Sequence, residues 1–567
     1  MLDTGSSTGR SGPAVTYERH PGAASAALPT GYRRREPEKS VLHGVVREHL
    51  ETFLERGHRG DGEGYPRFIE REFRRYLECG LLCHGFARLR CPSCGHENLV
   101  AFSCKGRLCP SCMGRRTAEI AASLVDQLLP EAGYRQWVLT FPWSLRFPLA
   151  ADRDLLARLT RAFLCTLFSW QRRRGRTVGL MDGRTGAVTF VQRFGGALNL
   201  HPHLHSILPD GLFVPGPQGR LTFTPLPAPT TAEVEELALK VARRISRIVV
   251  DLHGEEDSPR WSEDPSLAAL QQALAATVRP PVPEIGLEGG VEMEAKPLCA
   301  KVAGFTLHAA QAVVAEDRAG LESLCRYGLR APFSQRRIER HSDGRIIYRL
   351  RRPWPHAGGT SILLLDPLDF LRRLAALVPA PYAHMIRYHG VFANRSRDRG
   401  LLPAPPMLAE REEASGETRA EPASGLDAAG GRVEVPDSGD LTDALVDRAN
   451  QPRGPIRRPR LAWAQLLRRV LHVDALQCPR CSAAMVVLAF LSDPSVVGSI
   501  LRHLHLPTVP PPVSPARSSS EERLDVFEWD VAGEWSEVEF VHDGEPVRGA
   551  RGCVFVGPHR GVRAPPG

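Results

Sequence analysis

Three histidines fall within five residues in the run Asn199-Leu-His201-Pro-His203-Leu-His205-Ser-Ile-Leu-Pro-Asp210-Gly211. The residues before it, Val188-Thr-Phe190-Val191-Gln-Arg-Phe194, are β-branched and aromatic, and Gly195 and Gly196 break the run before a second extended stretch begins near Leu198. Alternate residues of a strand share a face, so His203 and His205 point the same way with Leu204 behind them, and His201 lies on that face too. Neutral imidazoles arrayed in this way suit a divalent cation. The same residues could equally be packing or hydrogen-bonding histidines, and the motif alone names neither metal nor reaction.

A second group with chemistry in it is Cys79-Gly-Leu-Leu-Cys83-His84, Cys91-Pro-Ser-Cys94-Gly-His96 and Ser103-Cys104-Lys105-Gly-Arg107-Leu-Cys109-Pro-Ser-Cys112. Two Cys-x2-Cys knuckles are what a tetrahedral zinc ribbon needs, because each turn aims two thiolates at one ion. The spacing predicts a structural zinc on Cys91, Cys94, Cys109 and Cys112. Four thiolates leave no open position, so this ion should hold the fold rather than catalyse. Cys79, His84 and Cys104 either complete a second zinc site or are buried thiols. Lys105, Arg107, Arg115 and Arg116 suit a nucleic-acid backbone, or form an ordinary solvated face. A third knuckle, Cys478-Pro-Arg-Cys481, has no evident partners; His503, His505 and Cys553 are candidates.

Thirteen cysteines is an odd number, and more than half of them lie between Cys79 and Cys112, which argues for metal ligands in a reducing compartment over a disulfide framework. The first thirty residues lack the apolar core of a signal peptide, and no apolar run approaches the roughly eighteen residues that a membrane span needs. A cytoplasmic protein with no membrane partner is expected. Net charge is +9, and residues 401–450 carry eleven acidic against four basic side chains, so the remainder is more basic than the total. A basic body favours a polyanionic partner.

The elements that must position these groups are legible in part. Residues 1–36 are rich in Ser, Gly, Ala and Pro and read as a disordered N-terminus. Two amphipathic helices, one from Ser40 and one carrying Phe68, Ile69, Phe73, Tyr76 and Leu77, lead into the cysteines. Together with a helix from Thr117 to Leu129 they outline a helical, zinc-binding, DNA-binding domain over 37–130. A second domain over 131–396 opens with the strand Trp137-Val-Leu-Thr-Phe141, followed by a helix over Leu155 to Trp170, the histidine strand, and a helix with a Thr230/Glu233 capping box. A helix from Asp317 to Tyr327 follows, with Leu321, Leu324, Cys325 and Gly328 as its apolar stripe and Ser323, Tyr327 and Arg330 on the neighbouring face. A hairpin is expected at Ser342-Asp343-Gly344. Residues 397–457 read as an acidic Gly/Pro/Ser-rich linker, 458–506 as a small C-terminal module with an amphipathic helix at Trp463–Val470, and 507–567 as a loose Pro/Ser-rich tail.

Five blocks in this order carry a resemblance. They are Cys91 to Arg116 (with Phe102-Ser-Cys-Lys-Gly-Arg and Cys-Pro-Ser-Cys), Arg135-Gln-Trp-Val-Leu-Thr-Phe-Pro, Asn199 to Gly211, Leu324-Cys-Arg-Tyr327 and Arg387-Tyr-His-Gly390. The chain resembles the rolling-circle transposases of the insertion-sequence-ninety-one family, within the HUH (His-hydrophobe-His) single-strand endonuclease class, over roughly residues 35 to 395. The resemblance implies an α+β fold, in which a zinc ribbon precedes a ferredoxin-like palm with an antiparallel sheet and flanking helices. It implies that His203 and His205, with His201 as a weaker third ligand, hold Mg²⁺ or Mn²⁺ against a scissile phosphate of single-stranded DNA at transposon ends and target. Gln335 and His384 are other candidates for the third position. Tyr327 is implied as nucleophile, Arg330 and Arg326 as its supporting cations, and Tyr388 as the competing nucleophile. The family often carries two tyrosines four residues apart; Ser323 stands at the first of those positions, which suggests a single-tyrosine scheme or two cooperating subunits. A bacterial, nucleoid-associated location follows from the same resemblance.

Two other classes account for some of these features. A zinc-ribbon DNA-binding regulator, or an inactive transposase copy, explains the cysteines and charge but leaves the histidine strand and Tyr327 idle. A two-metal carboxylate nuclease would draft Asp210 and Asp366, but no spaced acidic set stands out, and paired histidines are unusual ligands for Mg²⁺.

Overall fold

The computed structural model describes residues 32, 34–58, 64–216, 219–253, 296–354, 360–406 and 476–517. The expected helix at Trp463–Val470, most of the acidic linker, the candidate ligand Cys553 and nearly all of the N-terminal stretch and tail lie outside these residues.

The chain is a mixed α+β protein with antiparallel sheets. Its first two helices, α1 (Val41–His58) and α2 (Arg67–Glu78), are followed by a short hairpin of β1 (Phe86–Arg90) and β2 (Glu97–Ala101), and then by α3 (Pro110–Gln127). Next come β3 (Tyr134–Thr140), α4 (Trp143–Ala151), α5 (Arg153–Thr177), β4 (Gly186–Phe194) and β5 (Leu200–Pro209), the histidine strand. A side hairpin, β6 (Gly211–Pro215) with β7 (Leu221–Pro225), leads to α6 (Thr231–His253). Beyond it lie β8 (Cys299–Val302), β9 (Phe305–His308), β10 (Ala312–Val313) and α7 (Arg318–Gly328).

Among the described residues the main sheet has seven strands, in the order β14-β4-β5-β3-β9-β8 with β10 also on β3, where β14 is Ile386–Gly390. All its pairings are antiparallel. The histidine strand is interior to the sheet, between β4 and β3, and every one of its ten residues is buried. A strand buried on both faces needs cover on both. On one face Trp137, Leu139, Leu204 and Leu208 meet α5 and α6 through Leu159, Phe163, Leu237 and Val241. On the other face Tyr134, Val188, Phe190 and Ile207 meet α3 and α7 through Ala121, Leu124, Leu321 and Leu324. The histidines point to this second face, the one that carries Tyr327.

Local chemistry explains where the helices begin. Asp152, Asp317 and Glu233 act at the starts of α5, α7 and α6: Asp152 accepts from the amides of Asp154 and Leu155, Asp317 accepts from Gly320, and Thr230 and Glu233 form the reciprocal capping box. The turn at Ser342-Asp343-Gly344 joins β11 (Ile338–Arg340) to β12 (Ile346–Trp354), which pairs with β13 (Thr360–Leu365). This three-stranded sheet and α8 (Pro367–Leu377) share one apolar cluster with α1 and α2, through Val46, Phe53, Phe73, Ile346, Tyr348 and Phe370.

The C-terminal segment departs from the expected layout. Its strand β15 (Val486–Leu491) pairs with β1 to extend the N-terminal hairpin into a three-stranded sheet, and Val497 and Leu501 of α9 (Pro494–His503) pack on Leu82 and Phe86. Residues 476–506 therefore share a sheet and apolar clusters with the N-terminal module. No helix of the described residues is long and apolar enough to cross a membrane.

Candidate active site and metal centres

The register of the main sheet places the histidines. His205 lies opposite Phe190 of β4 and Val138 of β3, and His203 lies opposite Gln192 and Thr140. The rings of His201, His203 and His205 follow one another along the strand, the first pair tilted and the second edge-on, with centroids 5.0 and 4.9 Å apart. The Tyr327 ring stands edge-on to His205 at 5.4 Å, and the Arg330 guanidinium lies 4.6 Å above the tyrosine ring. Two elements far apart in sequence thus set a phenol, a cation and two imidazoles side by side. Tyr327 is almost wholly buried, 8% exposed, which is deeper than the helix-edge position expected from the pattern.

Burial keeps the imidazoles neutral. It pushes His203 down to about 3, and holds His201 and His205 well below the ordinary histidine range, with Arg146 and the neighbouring histidines adding to the effect at His201, and His203 and Arg330 at His205. The Nδ1 of His203 sits 2.6 Å from the carbonyl of His201. A carbonyl only accepts, so Nδ1 carries the proton and Nε2 keeps its lone pair. That is the arrangement in which a metal-binding histidine is oriented by its other nitrogen. A pair of neutral imidazoles, with that of His203 fixed in its tautomer, fits a divalent cation. Among the described residues no third His, Cys, Asp or Glu joins the pair in a compact ligand group.

The other sequence candidates are placed elsewhere. Gln335 donates to the Tyr76 hydroxyl, and His384 is exposed. Arg326 is ion-paired with Glu322 at 2.6 Å, one turn back along α7, and so is drawn away from Tyr327. Tyr388 sits on β14 opposite Val188, separated from the histidine strand by β4, and burial raises its phenol above the ordinary value. Asp210 makes a two-pronged ion pair with the buried Arg135, at 3.0 and 2.6 Å, and Asp366 caps α8 through the Leu368 amide. Both carboxylates that a two-metal nuclease would need are therefore engaged in holding the fold.

The cysteines regroup. The sequence expectation joined Cys91 and Cys94 to Cys109 and Cys112, but the structure brings Cys79, Cys104, Cys109 and Cys112 together, and separately Cys91, Cys94, Cys478 and Cys481. The correction has a simple cause. Cys79 follows the end of α2, Cys109 precedes α3 and Cys112 lies in its first turn, so bringing the end of α2 to the start of α3 closes the first group, while β1 pairs with β15. In the first group the Sγ of Cys79 lies 3.7 Å from Cys109 and 3.6 Å from Cys112, and Cys104 lies 3.5 Å from Cys112. Backbone amides of Cys104 and Gly106 and the Arg35 guanidinium donate to its sulfurs, as suits thiolates. His84 is exposed and belongs to neither group. Lys105 and Arg116 are exposed beside the first group, Arg115 is half-buried, and the half-buried Arg107 donates to the Ala380 carbonyl.

Comparison with known proteins accords with this layout. Residues 186–399, which include the histidine strand and Tyr327, match a family model described as "Putative transposase", and residues 45–141 match one described as "Transposase zinc-binding domain". The chain belongs to the insertion-sequence-ninety-one family of transposases. The transposase for insertion sequence element IS801 of Pseudomonas savastanoi pv. phaseolicola is 26% identical over 447 residues, covering 77% of this chain and 87% of that protein. A protein described as "Putative transposase y4qJ", from Sinorhizobium fredii, is 25% identical over 336 residues, covering 58% of this chain and 76% of its own length. No solved structure matches the chain. The zinc-binding domain and the cysteine groups together support zinc as a metal of this transposase.

Several residues that support the site gave no sequence signal. Gln192, opposite His203, donates to the carbonyls of Tyr327 and Gly328 at 2.7 and 3.1 Å, and Thr117 of α3 donates to that of Leu329 at 2.6 Å. These contacts satisfy the orphan carbonyls at the end of α7 and fix the helix on the sheet. Arg146 is a half-buried cation acting on His201 and His203, and His308 lies opposite Val138 in the same cross-strand row as His205. None stands in a motif; only strand register and helix packing bring them here. Gly328 is a point of close approach in that packing, where an added Cβ would meet Cγ of Phe190 at 2.8 Å. Gly328→Ala is expected to lift α7 from β4, destabilise the protein by about 1–3 kcal/mol, and shift Tyr327 off His205. Thermal unfolding and single-turnover DNA cleavage check this; the expected loss of rate is roughly 100-fold, and unchanged melting would refute the close approach.

Proposed function

We propose that this transposase nicks and rejoins single-stranded DNA through a 5′-phosphotyrosine link in rolling-circle transposition, with the seven-stranded sheet acting as the ferredoxin-like HUH palm. The observation that carries the reading is the placement of Tyr327 against His205 on the face that also holds His203. Tyr327 Oη attacks the scissile phosphorus, the bond from phosphorus to the 3′ oxygen breaks, and that oxygen leaves as a 3′-OH after taking up a proton. Reversal of the same step rejoins strands with no external energy source. A phenol has a reference pKa near ~10 and is a weak nucleophile when protonated, so the Arg330 cation over the ring favours its ionised form. A divalent cation, Mg²⁺ or Mn²⁺, held by His203 and His205 would neutralise charge on the phosphoryl oxygens. The half-buried Arg146 adds positive charge near His203. Ser323 stands one turn before Tyr327, which fits a single-tyrosine scheme or two cooperating subunits.

The test uses purified protein, labelled single-stranded oligonucleotides spanning the ends of its own element, and Mn²⁺, with denaturing electrophoresis as the readout. A denaturation-resistant adduct is expected in Mn²⁺, absent in chelator, and reduced at least ~100-fold in His203→Ala. DNA binding with no adduct under any divalent metal would replace this reading with that of a non-catalytic DNA-binding protein.

A further inference from the structure

The matched zinc-binding region ends at residue 141 and does not reach the third knuckle. Yet the structure seats that knuckle on the N-terminal module. Cys91 and Cys481 place their sulfurs 3.4 Å apart, and Cys94 and Cys478 place theirs 3.5 Å apart, across 390 and 384 residues of chain. All four ligand atoms lie within 4.8 Å of one another. A tetrahedron of thiolates around zinc, with bonds of about 2.3 Å, has edges of about 3.8 Å, close to this spacing.

The two knuckles are also built alike. In the first, the Gly95 amide donates to the Cys91 carbonyl at 3.0 Å and the Cys91 amide donates to His96 at 2.8 Å. In the second, the Ser482 amide donates to Cys478 at 2.9 Å and the Cys478 amide donates to Ala483 at 2.8 Å. The residue after each second cysteine has positive φ, 71° at Gly95 and 60° at Ser482. Serine rarely adopts that conformation, so the second turn is held in the shape of the first. Strands β1 and β15, which adjoin the two knuckles, pair with each other, and Ala87, Leu89, Val100 and Met485 pack beneath the cysteines.

We propose that Cys91, Cys94, Cys478 and Cys481 bind a second zinc ion, a clasp that fastens the C-terminal segment onto the zinc-binding domain. This inference is independent of the catalytic reading. It concerns a site assembled from both ends of the chain, distinct from the Cys79, Cys104, Cys109 and Cys112 group. The two sites differ in access. Cys94 and Cys481 are exposed, whereas Cys79, Cys109 and Cys112 are buried, so the clasp zinc should be the first to yield to a chelator.

The experiment is zinc analysis of the full chain, purified under reducing conditions, by elemental mass spectrometry. Two zinc ions per chain are expected for wild type, and one for the double variant Cys478→Ser/Cys481→Ser. One zinc in the wild type, or two in the variant, would overturn the proposal. Alkylation of the wild-type protein gives an answer that does not depend on the variant folding. In zinc-loaded protein Cys94 and Cys481 should resist reagent despite their exposure. On chelator titration Cys91, Cys94, Cys478 and Cys481 should become reactive together, before the Cys79 group. Reaction of Cys478 and Cys481 in zinc-loaded protein as fast as after chelation would equally overturn it.

Discussion

Tyr327→Phe is expected to abolish the covalent DNA adduct while leaving the protein folded. The substitution removes one oxygen and keeps the ring, so the edge contact with His205 and the Arg330 cation above the ring both persist. A single lost hydroxyl changes stability by about 1 kcal/mol. The chemical loss is far larger, because no other group of this site can form the phosphoryl ester: cleavage should fall by at least about three orders of magnitude, as when other covalent nucleophiles are removed. Affinity for the oligonucleotide should stay within roughly threefold, since the substitution changes no basic residue. Tyr388→Phe provides the comparison. Its ring lies in the α3/α7 core beside β4, away from the histidines, and its phenol is raised by burial, so adduct formation should persist. Adduct measured by denaturing electrophoresis, with peptide mapping of the linked residue, decides between them. An adduct that survives Tyr327→Phe and vanishes in Tyr388→Phe would reverse the assignment.

The second large effect is expected at the first cysteine group. Cys109→Ser should release one zinc and lower the thermal transition by roughly 10 °C or more, given that structural zinc contributes of order 10 kcal/mol to the fold it closes. Cys109 is 1% exposed and caps α3, and its sulfur lies 3.7 Å from that of Cys79 at the end of α2. Zinc at this point joins two helices and the loop carrying Cys104. Its loss would loosen α3, whose Thr117 holds the end of α7 just beyond Tyr327. Adduct formation should therefore fall as well, though Cys109 is no part of the active site. Cys83, which belongs to neither cysteine group, is the control, and Cys83→Ser should change neither zinc content nor melting. Calorimetry with zinc analysis on both variants is sufficient. Retention of all zinc and an unchanged transition in Cys109→Ser would exclude the grouping described above.

What the sequence determined by itself is what short-range geometry encodes. Alternation along a strand places His203 and His205 on one face whatever surrounds them, and Asp317, Thr230 and Glu233 start their helices through amides three residues away. The Cys-x2-Cys turns were legible as metal knuckles for the same reason, since each turn is closed by its own backbone hydrogen bonds. Only the tertiary structure decided which groups meet. That Cys91 and Cys94 share a site with Cys478 and Cys481 depends on β1 pairing with β15, a contact across nearly four hundred residues that no spacing records. That Arg330 reaches the Tyr327 ring while Arg326 turns to Glu322 depends on how α7 rolls on the sheet, set by Gly328 against Phe190 and by Gln192 at the helix end. Local spacing fixes which face a side chain takes, because covalent geometry repeats every two or every 3.6 residues. Partners across the fold are chosen by the packing of whole elements, and that choice is an energy balance spread over many side chains.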